Sequence, residues 1–147
     1  MIEERQRRLM ERVRTRSYAL DEAPVGSRWV AGTREIASCG DRVSLYINRR
    51  SDTIAEARYI ATGCSLAVAS AELVCEALQG CSLQRAGTQL TVWRAYLSGA
   101  DSTGITNEMD LPTTLRDLGV VRDYPARRRC ALLAVECALE IISSSQS

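Results

Sequence analysis

The sequence predicts an α+β fold, a small three-stranded antiparallel sheet with helices packed on one of its faces. Residues 28–62 hold three short runs of strand character separated by brief turns, the pattern of an antiparallel meander. From Gly63 onward the apolar spacing changes from two residues to about 3.6. The chain has 147 residues, about one domain's length, so 1–147 reads as a single unit with strands first and helices after.

Residues 2–18 form the first expected helix, with Ile2, Leu9, Met10 and Val13 on one side and Arg and Glu on the rest. Its arginines offer a surface for an acidic partner, but Glu3, Glu4 and Glu11 are interleaved among them, and a solvated face is the simpler assignment. Pro24 and Gly26 break the chain. Strands are expected over Arg28–Ala37, over Arg42–Asn48 and over Thr53–Thr62. In the second of these, Val43, Leu45 and Ile47 alternate with Arg42, Ser44 and Tyr46. A helix follows over Cys64–Gly80, carrying Leu66, Ala69, Leu73 and Leu78, with Gly80 as its stop. Ser82 is placed to cap the next helix, in which Leu83, Ala86, Leu90, Trp93 and Leu97 step by three and four. Residues 98–109 read as a loop, and Leu111–Leu118 as a short helix with Pro112 in its first turn. The last helix begins near Pro125 and leads to a flexible, Ser-rich tail from about residue 143.

Composition narrows the function. The formal charge is +1, so nothing global attracts nucleic acid or an anionic membrane. No stretch approaches a membrane span, and Met1–Ser17 lacks the apolar core of a signal peptide. A cytoplasmic protein with reduced thiols is expected, where spaced cysteines serve metal binding or catalysis. His is absent, so a metal site built by this chain alone must use Cys, Asp or Glu. Cys39, Asp41, Cys64 and Cys130 supply three thiolates and a carboxylate, a chemically complete set for tetrahedral zinc. Their spacing is unlike the local pairs of a zinc finger, so the fold has to bring remote segments together. Cys75 and Cys137 fall about 16 Å and about 10 Å along their helices from Cys64 and Cys130. They are assigned to the core as small hydrophobes, and Cys81 to a turn as an exposed thiol without function.

Three motifs then occur in order. They are Cys39-Gly40-Asp41-Arg42, Gly63-Cys64-Ser65-Leu66-Ala67 with Ala69-Ser70-Ala71 beyond, and Tyr124-Pro125-Ala126-Arg127 leading to Cys130-Ala131-Leu132. Together they resemble the U-type proteins of iron–sulfur cluster biogenesis, the NifU N-terminal, IscU and SufU group, over roughly residues 5–140. The SufU branch is the nearer one. It carries an insertion between the second and third cysteines, here around 82–110, and lacks the His that IscU-like scaffolds have where this chain has Arg129. The Asn-Pro that usually precedes the first cysteine is replaced by Ile36-Ala37-Ser38.

The resemblance implies that Cys39, Asp41, Cys64 and Cys130 share one zinc ion. It also implies a PLP-dependent cysteine desulfurase of the SufS type that passes persulfide sulfur to Cys39, for use by downstream iron–sulfur assembly proteins. In that scheme a desulfurase histidine takes a place on the zinc and frees Cys39, which fits a chain with no His. Cys39 lies beside Gly40 in a loop, while Cys64 and Cys130 sit in helices, so Cys39 is the ligand easiest to release. Zinc with three thiolates and a carboxylate leaves a double negative charge. Arg127, three positions before Cys130, is phased to donate hydrogen bonds to sulfur or carboxylate there. Two other classes stay open. One is a scaffold that assembles a [2Fe–2S] cluster on the same ligands, and the other is a structural zinc module that binds another protein.

Overall fold

The computed structural model describes residues 2–98, 113–121 and 124–146. The elements run α1 (Ile2–Thr15), β1 (Trp29–Ile36), β2 (Asp41–Arg50), β3 (Thr53–Thr62), α2 (Ser65–Leu78), α3 (Leu83–Leu97), a 3-10 helix (Thr113–Val121) and α4 (Pro125–Gln146). The sheet order is β1-β2-β3, with both neighbouring pairs antiparallel.

Alternation in β2 decides which face is covered. Val43, Leu45 and Ile47 are buried, while Arg42, Ser44 and Tyr46 on the other row keep solvent contact. Register places Gly32 and Tyr59 beside Leu45, and Val30 and Ala57 beside Ile47, so one continuous apolar face results. Helices α2 and α4 pack on that face; α3 lies against α4, and α1 against α2. Small residues set the approach distances. Ala67, Ala69 and Ala71 of α2 are wholly buried. At Gly32 a β-carbon would stand 2.9 Å from Cγ1 of Ile141, so α4 crosses the sheet where β1 has no side chain. The predicted α+β architecture, with its helices on one face, is therefore the one found.

Several boundaries differ from the sequence reading in ways that matter. Strand β2 starts at Asp41, one residue before the expected Arg42, which puts Asp41 in the inward row with Val43. Helix α1 ends at Thr15, because Arg16 adopts a left-handed φ of 44°. The following segment then runs beside β3, with Leu20 N–H donating to the Tyr59 carbonyl and Tyr59 N–H to that of Tyr18. A buried carboxylate, Glu72 of α2, holds this crossing by accepting from the N–H groups of Ser17 and Tyr18 at 3.0 and 2.9 Å. Two arginines of α1 also pair within the chain, Arg8 with Asp117 and Arg12 with Glu76, both at 2.7 Å.

The short helix expected at Leu111–Leu118 is a 3-10 helix over Thr113–Val121. Its buried residues Leu115, Leu118 and Val121 recur every third position, which matches three residues per turn. Residues 99–112, which include most of the expected loop and much of the expected insertion, lie outside the described residues. In place of a flexible tail from about 143, α4 continues to Gln146. Ile141 and Ile142 anchor it in the core, and the Ser144 hydroxyl donates to the Glu140 carbonyl at 3.0 Å. Among the described residues no helix is long and apolar enough to cross a membrane.

Candidate metal centre

Four segments meet at one end of the sheet. Cys39 lies in the turn between β1 and β2, where the N–H groups of Cys39 and Gly40 both donate to the Ile36 carbonyl, at 3.3 and 2.9 Å. Gly40 closes that turn with a φ of 77°, a conformation that favours glycine. Asp41 follows as the first residue of β2 and, by strand alternation, points under the helices, where it is 2 % exposed.

A buried carboxylate requires donors, and α2 provides them. Cys64 is the N-cap of α2; its N–H donates to Asp41 Oδ1 at 2.9 Å and its thiol to Oδ2 at 3.1 Å. This approach exists only because residue 63 is glycine. Gly63 has a φ of 119°, and a β-carbon there would lie 2.8 Å from Asp41 Cα and run into the carboxylate.

Cys130, in the second turn of α4, completes the group. A ligand atom each from Cys39, Asp41 and Cys130 lies within 4.8 Å of the other two, and Cys64 joins them through Asp41. Burial opposes ionisation of Asp41, but hydrogen bonds from Cys130, Cys64 and Cys39 outweigh it and hold the carboxyl below its usual value. Burial first, then the neighbouring Asp41 and Cys64, push the Cys130 thiol well above the ordinary thiol range. Such a thiol is deprotonated most readily by a cation at the same point. Cys39 and Cys64 are exposed and Cys130 is half-buried, so the group opens to solvent on one side. Three thiols around one carboxylate fit a thiophilic, tetrahedral ion.

The two ligand-bearing helices are locked together beside this group. Ser70 of α2, wholly buried, donates to the Ala131 carbonyl of α4 at 2.5 Å. Replacing Ser70 with Ala is expected to destabilise the fold by about 1 kcal/mol, read as a lower urea midpoint with unchanged slope. A null effect would mean that the helix crossing is set by alanine packing alone.

Arg127 is exposed and lies over the Tyr124 ring, its guanidinium carbon 5.9 Å from the centroid, instead of reaching the sulfurs. It does line the same groove as Cys64 and Cys130. Cys75 and Cys137 are buried in the core, as expected. Cys81 is half-buried where an exposed thiol was expected. Its backbone turns the chain out of α2, with N–H to the Leu78 carbonyl and C=O accepting from Ile54 N–H. The sequence reading missed Ser70 as a clamp and Gly63 as the opening for Asp41, although both stand inside the second motif.

Comparison with known proteins places these residues in context. Residues 19–131 match the NifU-like N terminal domain family, a span that contains all four residues of the group. Over 97 residues, 66 % of its length, the chain is 28 % identical to the zinc-dependent sulfurtransferase SufU of Bacillus subtilis (strain 168), and the match spans 63 % of that protein. A solved structure described as an iron–sulfur cluster assembly scaffold protein for the SUF system, from Fervidobacterium islandicum AW-1, superposes with a TM-score of 0.73. Its identity is 22 %, and 91 % of this chain and 93 % of that one are covered. A nitrogen-fixing NifU-like protein (N-terminal) from Brucella abortus gives 0.74 at 18 % identity, with 99 % and 98 % covered. At these identities the two structures speak for the fold. By the family match, the chain belongs to the NifU-like N-terminal domain family.

Proposed function

We propose that this protein is a zinc-dependent sulfur acceptor for iron–sulfur cluster assembly, taking persulfide sulfur from a PLP-dependent cysteine desulfurase. The supporting observation is the gathering of Cys39, Asp41, Cys64 and Cys130 from remote segments, in a chain similar to a zinc-dependent sulfurtransferase. Those four residues would hold the ion, which supplies positive charge that keeps the thiols deprotonated.

The remaining chemistry belongs to the chain. Asp41, held below its usual pKa and oriented by the Cys64 N–H, is ionised at neutral pH. Cys64 and Cys130 are fixed by helices tied through Ser70. Cys39 is exposed on a glycine turn and is the thiolate that can meet a donor. Its sulfur attacks the terminal sulfur of the donor's persulfide; a new S–S bond forms at Cys39 as the donor's S–S bond breaks. The donor leaves as a thiolate, and no outside oxidant or reductant is consumed. Downstream iron–sulfur assembly proteins then draw on the Cys39 persulfide, in a cytoplasm that keeps the thiols reduced.

Metal analysis of anaerobically purified protein tests this reading. One equivalent of zinc in a colourless sample supports it. Iron with acid-labile sulfide in a brown sample supports a [2Fe–2S] scaffold on the same residues, the reading favoured by the exposure of Cys39 and Cys64. Chelation should also lower the melting temperature by roughly 10 °C, because the ion ties the β1–β2 turn to two helices and is worth about 4 kcal/mol when saturating. An unchanged melting temperature would show that the ligands are held without it.

A further inference from the structure

We propose that the groove beside the metal centre is a docking site for a segment of the sulfur-donating partner that presents a large apolar side chain followed by a carboxylate. This deepens the sulfur-acceptor reading and rests on it for the partner's role. The groove, of about 750 Å³, lies between α1, the end of the 3-10 helix and the first turns of α2 and α4. Leu9, Leu66 and Val121 form apolar walls, and the groove reaches Cys64 and Cys130.

Two features say what fits there. Among the described residues, three large apolar side chains are exposed, and two of them, Met10 at 46 % and Tyr124 at 59 %, stand on this one groove. Among the described residues that line it, Arg127 is the only Arg, Lys, Asp or Glu, so no carboxylate there answers it. Its guanidinium carbon stands over the Tyr124 ring, and the five N–H donors of the group offer hydrogen bonds to a ligand in the groove. Arg8 and Arg12 of α1 have carboxylates on other elements, whereas Arg127 and Arg128 stand in a first turn that contains no acidic residue, with Arg129 directly after them. Cations at that end of a helix oppose its dipole. A carboxylate arriving at Arg127 relieves that repulsion while an apolar side chain covers Met10 and Tyr124.

The test titrates the zinc-loaded full chain with the acetylated, amidated peptide Gly-Ala-Leu-Glu-Ala-Gly and its Gln and Lys analogues. Saturable shifts of the Met10 methyl and Tyr124 ring NMR signals are expected with the Glu peptide, about tenfold weaker binding with the Gln peptide, and none with the Lys peptide. Arg127→Glu should reverse the preference toward Lys, and Met10→Glu should abolish binding. The Glu peptide should also slow sulfur transfer from the desulfurase. Equal binding of all three peptides, or no shift of Met10 and Tyr124 at millimolar peptide, overturns the proposal. A peptide-free dimer that Met10→Glu dissociates also overturns it, by placing a second copy of this chain in the groove. Sulfur uptake by Cys39 is assayed separately, so a failed groove with intact transfer leaves the acceptor reading standing.

Discussion

Replacing Cys39 with Ala will leave the chain folded and partly metal-loaded but unable to take up sulfur. The side chain contributes little to the fold. It is exposed, and its sulfur makes only a 3.8 Å approach to the Ile36 carbonyl and a hydrogen bond to the Asp41 carboxylate, which Cys64 and Cys130 also supply. The turn around it is held by backbone bonds from Cys39 and Gly40 to that carbonyl, which Ala preserves. Cys64 and Cys130 remain on their helices with Asp41 between them, enough to bind a thiophilic ion with reduced affinity. On the proposed function, what disappears is the thiolate that leaves the ion and meets the donor, since Cys39 is the ligand beside the glycine turn. Mass spectrometry after incubation with desulfurase and cysteine should show one added sulfur atom on the parent protein and none on the variant. Added sulfur on Cys64, Cys130 or Cys81, with Cys39 unmodified, would refute the assignment.

Gly63→Ala is expected to be the most damaging of the small substitutions. At φ 119° an added side chain is strained whatever the space, at a cost of about 1–3 kcal/mol. Here the new β-carbon also meets Asp41, including its Cα at 2.8 Å, and a backbone atom cannot swing aside. Strand and helix must separate, which pulls the Cys64 N–H away from a buried carboxylate and leaves a charge without its donor. A total loss of roughly 3–5 kcal/mol follows, together with a large fall in metal affinity. Gly40→Ala is the control. Its φ of 77° also disfavours a side chain, but nothing lies within 4 Å, so about 1 kcal/mol is expected and the Asp41 contacts survive. Urea unfolding and competitive zinc titration separate the two. Equal losses would mean that conformational strain alone operates at Gly63.

Much of this architecture is legible in short-range pattern. Alternation of Val43, Leu45 and Ile47 gives the central strand and its buried face, and the spacing of Leu83, Ala86, Leu90, Trp93 and Leu97 gives α3, all five buried as the period requires. Ser82 caps that helix by accepting from Arg85 N–H at 3.1 Å, a local bond that the sequence predicts. The burial of Asp41 was within reach of the same argument. Extending the β2 alternation by one residue puts it in the row of Val43, but a carboxylate before a strand reads as turn chemistry unless a donor for it is known.

That donor is what only the tertiary structure supplies. By itself the sequence determined the strands, most helix boundaries and the residue types that make a thiolate and carboxylate site without His. The tertiary structure decided which atoms meet: Cys64 N–H with Asp41, Ser70 with Ala131, and the N–H groups of Ser17 and Tyr18 with Glu72. It also turned Arg127 onto Tyr124 and away from the sulfurs. Periodicity reports how a residue relates to its neighbours a turn or a pleat away, whereas these contacts join residues 23 to 61 positions apart. Their geometry depends on how closely small residues such as Gly63 and Ala67 let whole elements approach, and it exists only once the layers are packed.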